Sequence, residues 1–182
     1  MRTSECEIVM VPDRTADDPN HWQNRWQEKL AAARHLPGEQ PMQSLPDWEA
    51  CLLQAVGAAQ KPVVLVAHGV GVNLTVLSAG KLDPAIVKGA FLVAPTGSRF
   101  VLEQEDLDSR LAHLPTDPLP FAATVIASRN DPTCPILEAE EWAFAWGAAF
   151  ADAGDSGHLD PESGHGPWPE GLMRFAGFLN KL

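Results

Sequence analysis

Continuously apolar segments separated by segments with helical spacing dominate the hydrophobic pattern of this chain. The clearest are residues 63–67 and 90–94, with shorter segments at 8–11 and 123–127 and a weaker one at 149–153. Hydrophobicity that is continuous rather than alternating is typical of strands covered by helices on both faces. We therefore predict a mostly parallel sheet.

Helical patterns lie between these strands. Trp22, Trp26 and Leu30 recur at four-residue spacing, which predicts one apolar helix face. Helices are predicted after Asp18-Pro19, from Ser44, over 70–80, from Pro135 towards Gly147, and from Trp168. Strands that alternate with helices indicate an α/β fold, in which ligands bind beyond the carboxyl ends of the strands. Residues 96–120 lack such a pattern, and their length predicts a small lid.

Length and composition narrow the class of protein. The 182 residues predict a single domain over 1–182 with a sizeable core. The net charge of −11 argues against nucleic acid as a partner. Three separated cysteines form no disulfide framework. The N-terminal residues lack a signal-peptide pattern, and no apolar stretch is long enough to span a membrane. We expect a soluble cytoplasmic protein without a membrane partner.

The glycine-rich turn after the apolar segment 63–67 is the most informative motif. Residues 67–71 read Ala-His-Gly-Val-Gly at the point where a strand passes directly into a helix. A dinucleotide site is disfavoured because Leu74 occupies the third glycine position and no acidic residue follows at the expected distance. The turn matches the small residues of a G-x-S-x-G nucleophile elbow, but Gly69 stands at the serine position. Close packing alone remains a third explanation.

Two further strand ends supply an acid and a histidine in the order of a catalytic triad. Asp131 follows the segment 123–127, and His158 lies in a glycine-flanked loop after 149–153. A carboxylate in such a turn can orient an imidazole that acts as a general base. Cys134 is interpreted as a packed side chain rather than a substitute nucleophile. The histidines lack metal-binding spacing, so we expect no metal site. His21, near the start of the first predicted helix, is interpreted as a surface residue.

These motifs resemble the small serine hydrolases of the retinoblastoma-binding-protein-nine and bacterial YdeN-like family, a compact branch of the α/β-hydrolase superfamily. The resemblance covers nearly the whole chain. It rests on Val11-Pro12, Asp18-Pro19-Asn20-His21-Trp22-Gln23, Trp26, Asp47-Trp48, Val64-Leu65-Val66-Ala67-His68, Leu92-Val93-Ala94-Pro95, Leu119-Pro120-Phe121, Ala127-Ser128-Arg129-Asn130-Asp131-Pro132, Ala145-Trp146-Gly147, Gly157-His158, and Ser163-Gly164-His165-Gly166-Pro167-Trp168-Pro169-Glu170-Gly171.

The resemblance implies a hydrolase of ester or amide bonds with a minimal cap and no cofactor. It makes Asp131 the orienting acid, His158 the base, and the N–H of Val70 one oxyanion donor. Gly69 stands where the nucleophile belongs, and Asp13 lies in the second oxyanion turn, where the family typically has glycine. A carboxylate there would oppose a developing oxyanion. Hydrolysis is therefore expected to be impaired or lost.

His68, Arg14 and Trp168 are expected to line the same pocket, which would take a small-molecule substrate or ligand. Two other functions stay open. His158 backed by Asp131 could act as an acid–base pair in a lyase, isomerase or cyclase reaction. The domain could instead be a non-catalytic binding module. The sequence leaves the oligomeric state open.

Overall fold

A computed structural model describes residues 1–14, 18–36 and 44–182. The described residues form six strands, β1 (Glu7–Val11), β2 (Ala33–His35), β3 (Val63–His68), β4 (Val87–Val93), β5 (Ala122–Ala127) and β6 (Ala149–Asp152). The helices are α1 (Trp22–Lys29), α2 (Leu45–Gly57), α3 (Val70–Ser78), α4 (Ser98–Glu103), α5 (Ile136–Ala145) and α6 (Pro169–Leu179). Short 3₁₀ helices cover Thr3–Glu5, Ala79–Lys81 and Ser109–Ala112.

The six strands form one parallel sheet in the order β2-β1-β3-β4-β5-β6. This confirms the predicted α/β fold with a mostly parallel sheet and helices on both faces. Strands β1 and β3 are neighbours, and the chain leaves them towards opposite edges of the sheet. In open parallel sheets such a switch point creates a crevice beyond the carboxyl ends of the two strands.

The core lies on both faces of the sheet. One apolar cluster packs α2, α3 and α5 against the sheet and contains Trp48, Leu52 and Trp142. The other packs α1 and α6 against the opposite face and contains Trp22 and Phe175. Because β3 is covered on both faces, all six of its residues are buried, which explains its unbroken apolar run.

The apolar pattern predicts neither β2 nor α4. Strand β2 is a three-residue edge strand whose residues are all half-buried, so it lacks the continuous hydrophobicity of the central strands. Helix α4 has six residues, too few for a clear helical period. Together with the 3₁₀ helix Ser109–Ala112 it occupies part of the segment 96–120, for which a lid stays a prediction.

Asn73 connects this segment to α3. Its buried Nδ2 donates to the carbonyl oxygens of Thr96 and Leu111, both at 2.8 Å, and its Oδ1 accepts from the Thr96 N–H at 3.1 Å. One side chain therefore satisfies backbone groups at two points of the segment 96–120.

Candidate active site

Two glycines shape the turn after β3. Gly69 has φ +54° and ψ −128°, a region that side chains rarely adopt, and it begins α3 directly. A Cβ on Gly71 would lie 2.6 Å from the carbonyl oxygen of Pro12. The two glycines thus allow β3, α3 and the turn after β1 to meet closely.

Asp13, two residues after β1, fills the space in front of Gly69. A Cβ built on Gly69 would lie 2.8 Å from the Asp13 Cβ and closer still to its carboxylate. The Asp13 Oδ1 accepts a hydrogen bond of 2.9 Å from the Val70 N–H. The carboxylate is 4% exposed. The Val70 N–H, to which the family resemblance assigns the role of an oxyanion donor, therefore already donates to a carboxylate oxygen.

The structure brings Asp131 and His158 together. His158 Nδ1 lies 2.9 Å from Asp131 Oδ2 and 3.1 Å from its Oδ1. Thr133, which the sequence analysis missed, supports this pair. Its hydroxyl donates to Asp131 Oδ1 at 2.9 Å, and its N–H donates to the same oxygen at 2.8 Å. A serine or threonine two residues after Asp in a turn is the signal that predicts such a contact.

The His158 imidazole lies between two carboxylates. Its Nε2 is 3.5 Å from Asp13 Oδ2, while its Nδ1 faces Asp131. Burial favours the neutral ring, but the hydrogen bonds and charges of the two carboxylates outweigh it and raise the pKa of His158 to about 10. Burial likewise opposes the charged form of Asp13, yet the bonds from His158 and the Val70 N–H hold its pKa well below the ordinary value. The two flanking side chains therefore favour the protonated form of the His158 ring.

Two neutral histidines, His21 and His68, form a hydrogen-bonded chain that ends at the His158 backbone. The Gln23 N–H donates to His21 Nδ1 at 3.2 Å, so His21 Nε2 carries the proton and donates to His68 Nδ1 at 3.2 Å. His68 Nε2 then donates to the His158 carbonyl oxygen at 2.8 Å. Burial is the largest cause of the lowered pKa values, about 3 for His21 and about 4 for His68.

This arrangement corrects two expectations. His21 is fully buried, so its interpretation as a surface residue is wrong. His68 is also fully buried and is not among the residues that line the cavity above the site. Its role is to hold the backbone of the His158 loop.

A cavity of about 320 Å³ opens beside Asp13, Val70 and His158. It is lined by Asp13, Arg14, Val70, Thr96, Phe100, Gln104, Pro132, Thr133, His158, Asp160 and Glu162. The Arg14 guanidinium is 28% exposed and lies 3.0 Å from Asp106 Oδ2. The cavity therefore contains a buried anionic group at its base and a cation at its rim.

Trp168 lies in the aromatic core and not in the cavity. It precedes α6, is buried, and packs with ring centroids 5.1 Å from Trp22 and 5.9 Å from Trp26. It is not among the residues that line the cavity, so its predicted place in the pocket is wrong. An apolar ring beside α1 and α6 gains more from this aromatic core than from a polar cavity wall.

Potential metal-ligand atoms of Asp13, His68 and His158 lie within 4.8 Å of one another. Both ring nitrogens of His68 take part in hydrogen bonds, and the raised pKa of His158 keeps a proton between its ring and the carboxylates. These three residues form a hydrogen-bonded, proton-bearing cluster rather than an open set of ligands.

Cys134 is unsuited to act as a nucleophile. Its thiol is buried and lies 3.6 Å from the Pro135 carbonyl oxygen. Burial and the nearby charges of Glu138 and Asp131 raise its pKa far above the ordinary value, so it stays a neutral thiol.

The parallel sheet, the strand-to-helix turn at Gly69 and the paired His158 and Asp131 define the α/β-hydrolase class. The chain belongs to the serine hydrolase family, whose sequence model matches residues 8–177. No sequence among curated proteins matches it. No helix in the described part of the chain is long and apolar enough to cross a membrane.

Solved structures share the fold of this chain. A protein described as a YdeN-like hydrolase from Pectobacterium atrosepticum is 26% identical, with a TM-score of 0.83, over 97% of this chain and 91% of its own. The ydeN gene product of B. subtilis is 20% identical, with a TM-score of 0.76, over 96% and 98%. Esterase 2 of Thermogutta terrifontis, phosphorylated by paraoxon, shares the fold at 15% identity and a TM-score of 0.71, over 100% and 85%.

Proposed function

We propose that this chain is a serine-hydrolase family protein that has lost serine-dependent hydrolysis and keeps its cavity as a small-molecule site. Gly69 takes the position of the nucleophile in this proposal. The observation that carries it is the Asp13 carboxylate, which fills the space that a side chain on residue 69 would need. The loss therefore involves two positions, because restoring a serine alone would create a clash.

The oxyanion site supports the same proposal. Acyl transfer needs hydrogen-bond donors that point at a developing negative charge. Here the Val70 N–H already donates to Asp13 Oδ1. A substrate carbonyl would have to displace a carboxylate that His158 and Val70 both stabilise.

A labelling experiment tests this proposal. Paraoxon phosphorylates the esterase of the same fold, and it should leave this chain unmodified. The single variant Gly69→Ser should remain unlabelled because Asp13 obstructs the new side chain. The double variant Asp13→Gly/Gly69→Ser should be phosphorylated at residue 69 and should hydrolyse p-nitrophenyl butyrate.

Asp13→Gly alone is the matched control, since it opens the same space without adding a hydroxyl. Paraoxon modification of the unaltered chain, with ester turnover that the modification abolishes, would overturn the proposal. A folded double variant that gains neither labelling nor turnover would show that Gly69 is not the nucleophile position.

A second candidate function is acid–base catalysis by His158 with Asp131 on a ligand in the cavity. The observation that favours it is the position of His158, which lines the cavity and carries a proton at neutral pH. In that state the imidazolium can donate a proton to a bound ligand. Once a ligand is known, His158→Gln should lower its turnover while leaving its binding in place. Unchanged turnover would favour a non-catalytic binding module instead.

A further inference from the structure

We propose that Trp22 is a positioning residue for His158, whose ring it holds between two carboxylates through the backbone of Leu159. This inference rests on the acid–base role proposed for His158 above, and it adds a residue that does not touch the cavity. Trp22 is the first residue of α1, is fully buried, and is not among the residues that line the cavity. Its effect on a bound ligand therefore has to pass through His158.

The start of α1 reaches two consecutive carbonyl oxygens of the loop that carries His158. The Trp22 Nε1–H donates to the Leu159 carbonyl oxygen at 2.9 Å. His68, which is bonded to His21, donates from its Nε2 to the His158 carbonyl oxygen at 2.8 Å. Because His21 and Trp22 are adjacent in sequence, the start of one helix fixes the peptide groups on both sides of Leu159.

Leu159 has a backbone conformation that needs such support. Its φ is +53°, a left-handed value that residues with a side chain rarely adopt. The other positive φ values between residues 154 and 164 belong to Gly154, Gly157 and Gly164, and glycine adopts them without steric cost. A strained conformation of this kind persists only where the surrounding contacts enforce it. The hydrogen bond from Trp22 is such a contact.

The position of the His158 ring decides how firmly the ring holds its proton. Its Nδ1 lies 2.9 Å from Asp131 Oδ2, and its Nε2 lies 3.5 Å from Asp13 Oδ2. The His68 ring packs against it at a centroid distance of 4.8 Å, and the charge of Asp160 also interacts with it. Attraction between charges weakens with distance. A ring that moves away from the carboxylates therefore loses support for its protonated form.

Removal of the Trp22 N–H connects these two features. The buried Leu159 carbonyl oxygen then lacks its donor, so the strained φ loses one of the contacts that enforce it. A return of φ to a negative value turns the peptide group between residues 158 and 159 and shifts the His158 ring. Trp22 thus controls how readily His158 releases its proton, although the two side chains carry out different tasks.

Trp22→Phe tests the proposal, with Trp26→Phe as the matched control. Both indoles are buried in the same apolar cluster, but Trp26 Nε1 has no hydrogen-bond partner among the described residues. The two changes remove similar ring area, and only the first removes a hydrogen bond. Nitrogen NMR of the histidine rings measures the pKa of His158. We expect it to fall by about one unit in Trp22→Phe, a tenfold loss of proton affinity, and to stay unchanged in Trp26→Phe.

A purely structural role of Trp22 gives a different result. Both variants lose packing, so urea unfolding should show that both are less stable than the unaltered chain. A lower stability of Trp22→Phe with an unchanged His158 pKa would overturn the proposal. An equal fall of that pKa in both variants would overturn it as well, because lost packing rather than the bond to Leu159 would then move the ring.

A second replacement removes the donor and keeps the shape of the ring. In β-(3-benzothienyl)alanine sulfur takes the place of the indole N–H, so this residue at position 22 keeps the packing even where Trp22→Phe does not fold. The His158 pKa should again fall by about one unit, whereas the same analogue at position 26 should leave it unchanged. An unchanged pKa with the analogue at position 22 would overturn the proposal. These measurements use no ligand, paraoxon or ester, so they fail separately from the functions proposed above.

Discussion

The carboxylate of Asp13 and a side chain on Gly69 would occupy the same space. A Cβ on residue 69 would lie 2.8 Å from the Asp13 Cβ, which real structures do not tolerate. The two residues belong to the turns after β1 and β3, the neighbouring strands at the switch point of the sheet. The residues allowed at positions 13 and 69 therefore depend on each other.

Gly69→Ala should destabilise the fold. The backbone strain at φ +54° costs about 1–3 kcal/mol for a residue with a side chain, and contact with Asp13 adds to it. Urea unfolding measures the change. Gly177→Ala is the matched control, because a Cβ there meets nothing within 4 Å in helix α6, and alanine should stabilise that helix by about 0.5–1 kcal/mol.

A double-mutant cycle separates strain from contact. In an Asp13→Gly background the same Gly69→Ala change should cost less, since only the backbone strain remains. Equal costs in both backgrounds would mean that the Asp13 side chain moves aside without loss, and the proposed link between the two positions would fail.

His158 should remain an imidazolium well above neutral pH. Its folded pKa of about 10 lies above the ordinary 6.5 because Asp13 and Asp131 flank the ring. Its contribution to stability is therefore complete below about pH 6.5 and is lost as pH rises towards 10. Nitrogen NMR of the ring checks the protonation state. In Asp13→Asn the His158 pKa should fall, whereas Asp155→Asn should leave it where it was.

A strand or a site residue can be predicted from the sequence only where its structural role produces a recognisable local pattern. The central strands are buried on both faces, so their apolar runs locate β1, β3, β4 and β5, whereas the half-buried edge strand β2 leaves no such run. Asp131 and His158 are found from their places after strands, because strand ends converge at one edge of the sheet.

The contact between Asp13 and Gly69 leaves no local signal. The two residues are far apart in sequence, and the resemblance places Asp13 near an oxyanion without indicating that it fills the space beside Gly69. The buried positions of His21 and His68 could not be predicted for a related reason. Histidine is ordinarily polar surface or ligand, and only the tertiary fold shows that these two rings pair with each other and with the His158 carbonyl.

The buried pair of His21 and His68 should make the protein sensitive to mild acid. Burial holds their folded pKa values at about 3 and about 4, below the ordinary 6.5. Below pH 6.5 the unfolded chain therefore binds more protons than the folded chain. The free energy of unfolding then decreases by about 1.4 kcal/mol for each unit by which the pH is lowered and for each extra proton bound. Urea midpoints between pH 7 and 4.5 measure the slope. His113→Gln, at an exposed ring, should not alter it, whereas His21→Gln should reduce it.

Asn73 should control the opening of residues 96–120. Asn73→Leu keeps a similar size but leaves the Thr96 N–H and the Thr96 and Leu111 carbonyl oxygens without their partner, at about 1–3 kcal/mol for each buried group. Hydrogen exchange over 98–112 should then speed up more than exchange in β3 or β4.

Thr75→Val on the same helix is the control for Asn73→Leu, because the Thr75 hydroxyl bonds to the Gly71 carbonyl oxygen within α3. It should leave exchange over 98–112 unchanged. A uniform increase across the sheet in Asn73→Leu would show that this segment belongs to the core and does not open separately, which would contradict the predicted lid. An increase confined to 98–112 would favour the lid, because the segment would then open while the strands beneath it stay closed.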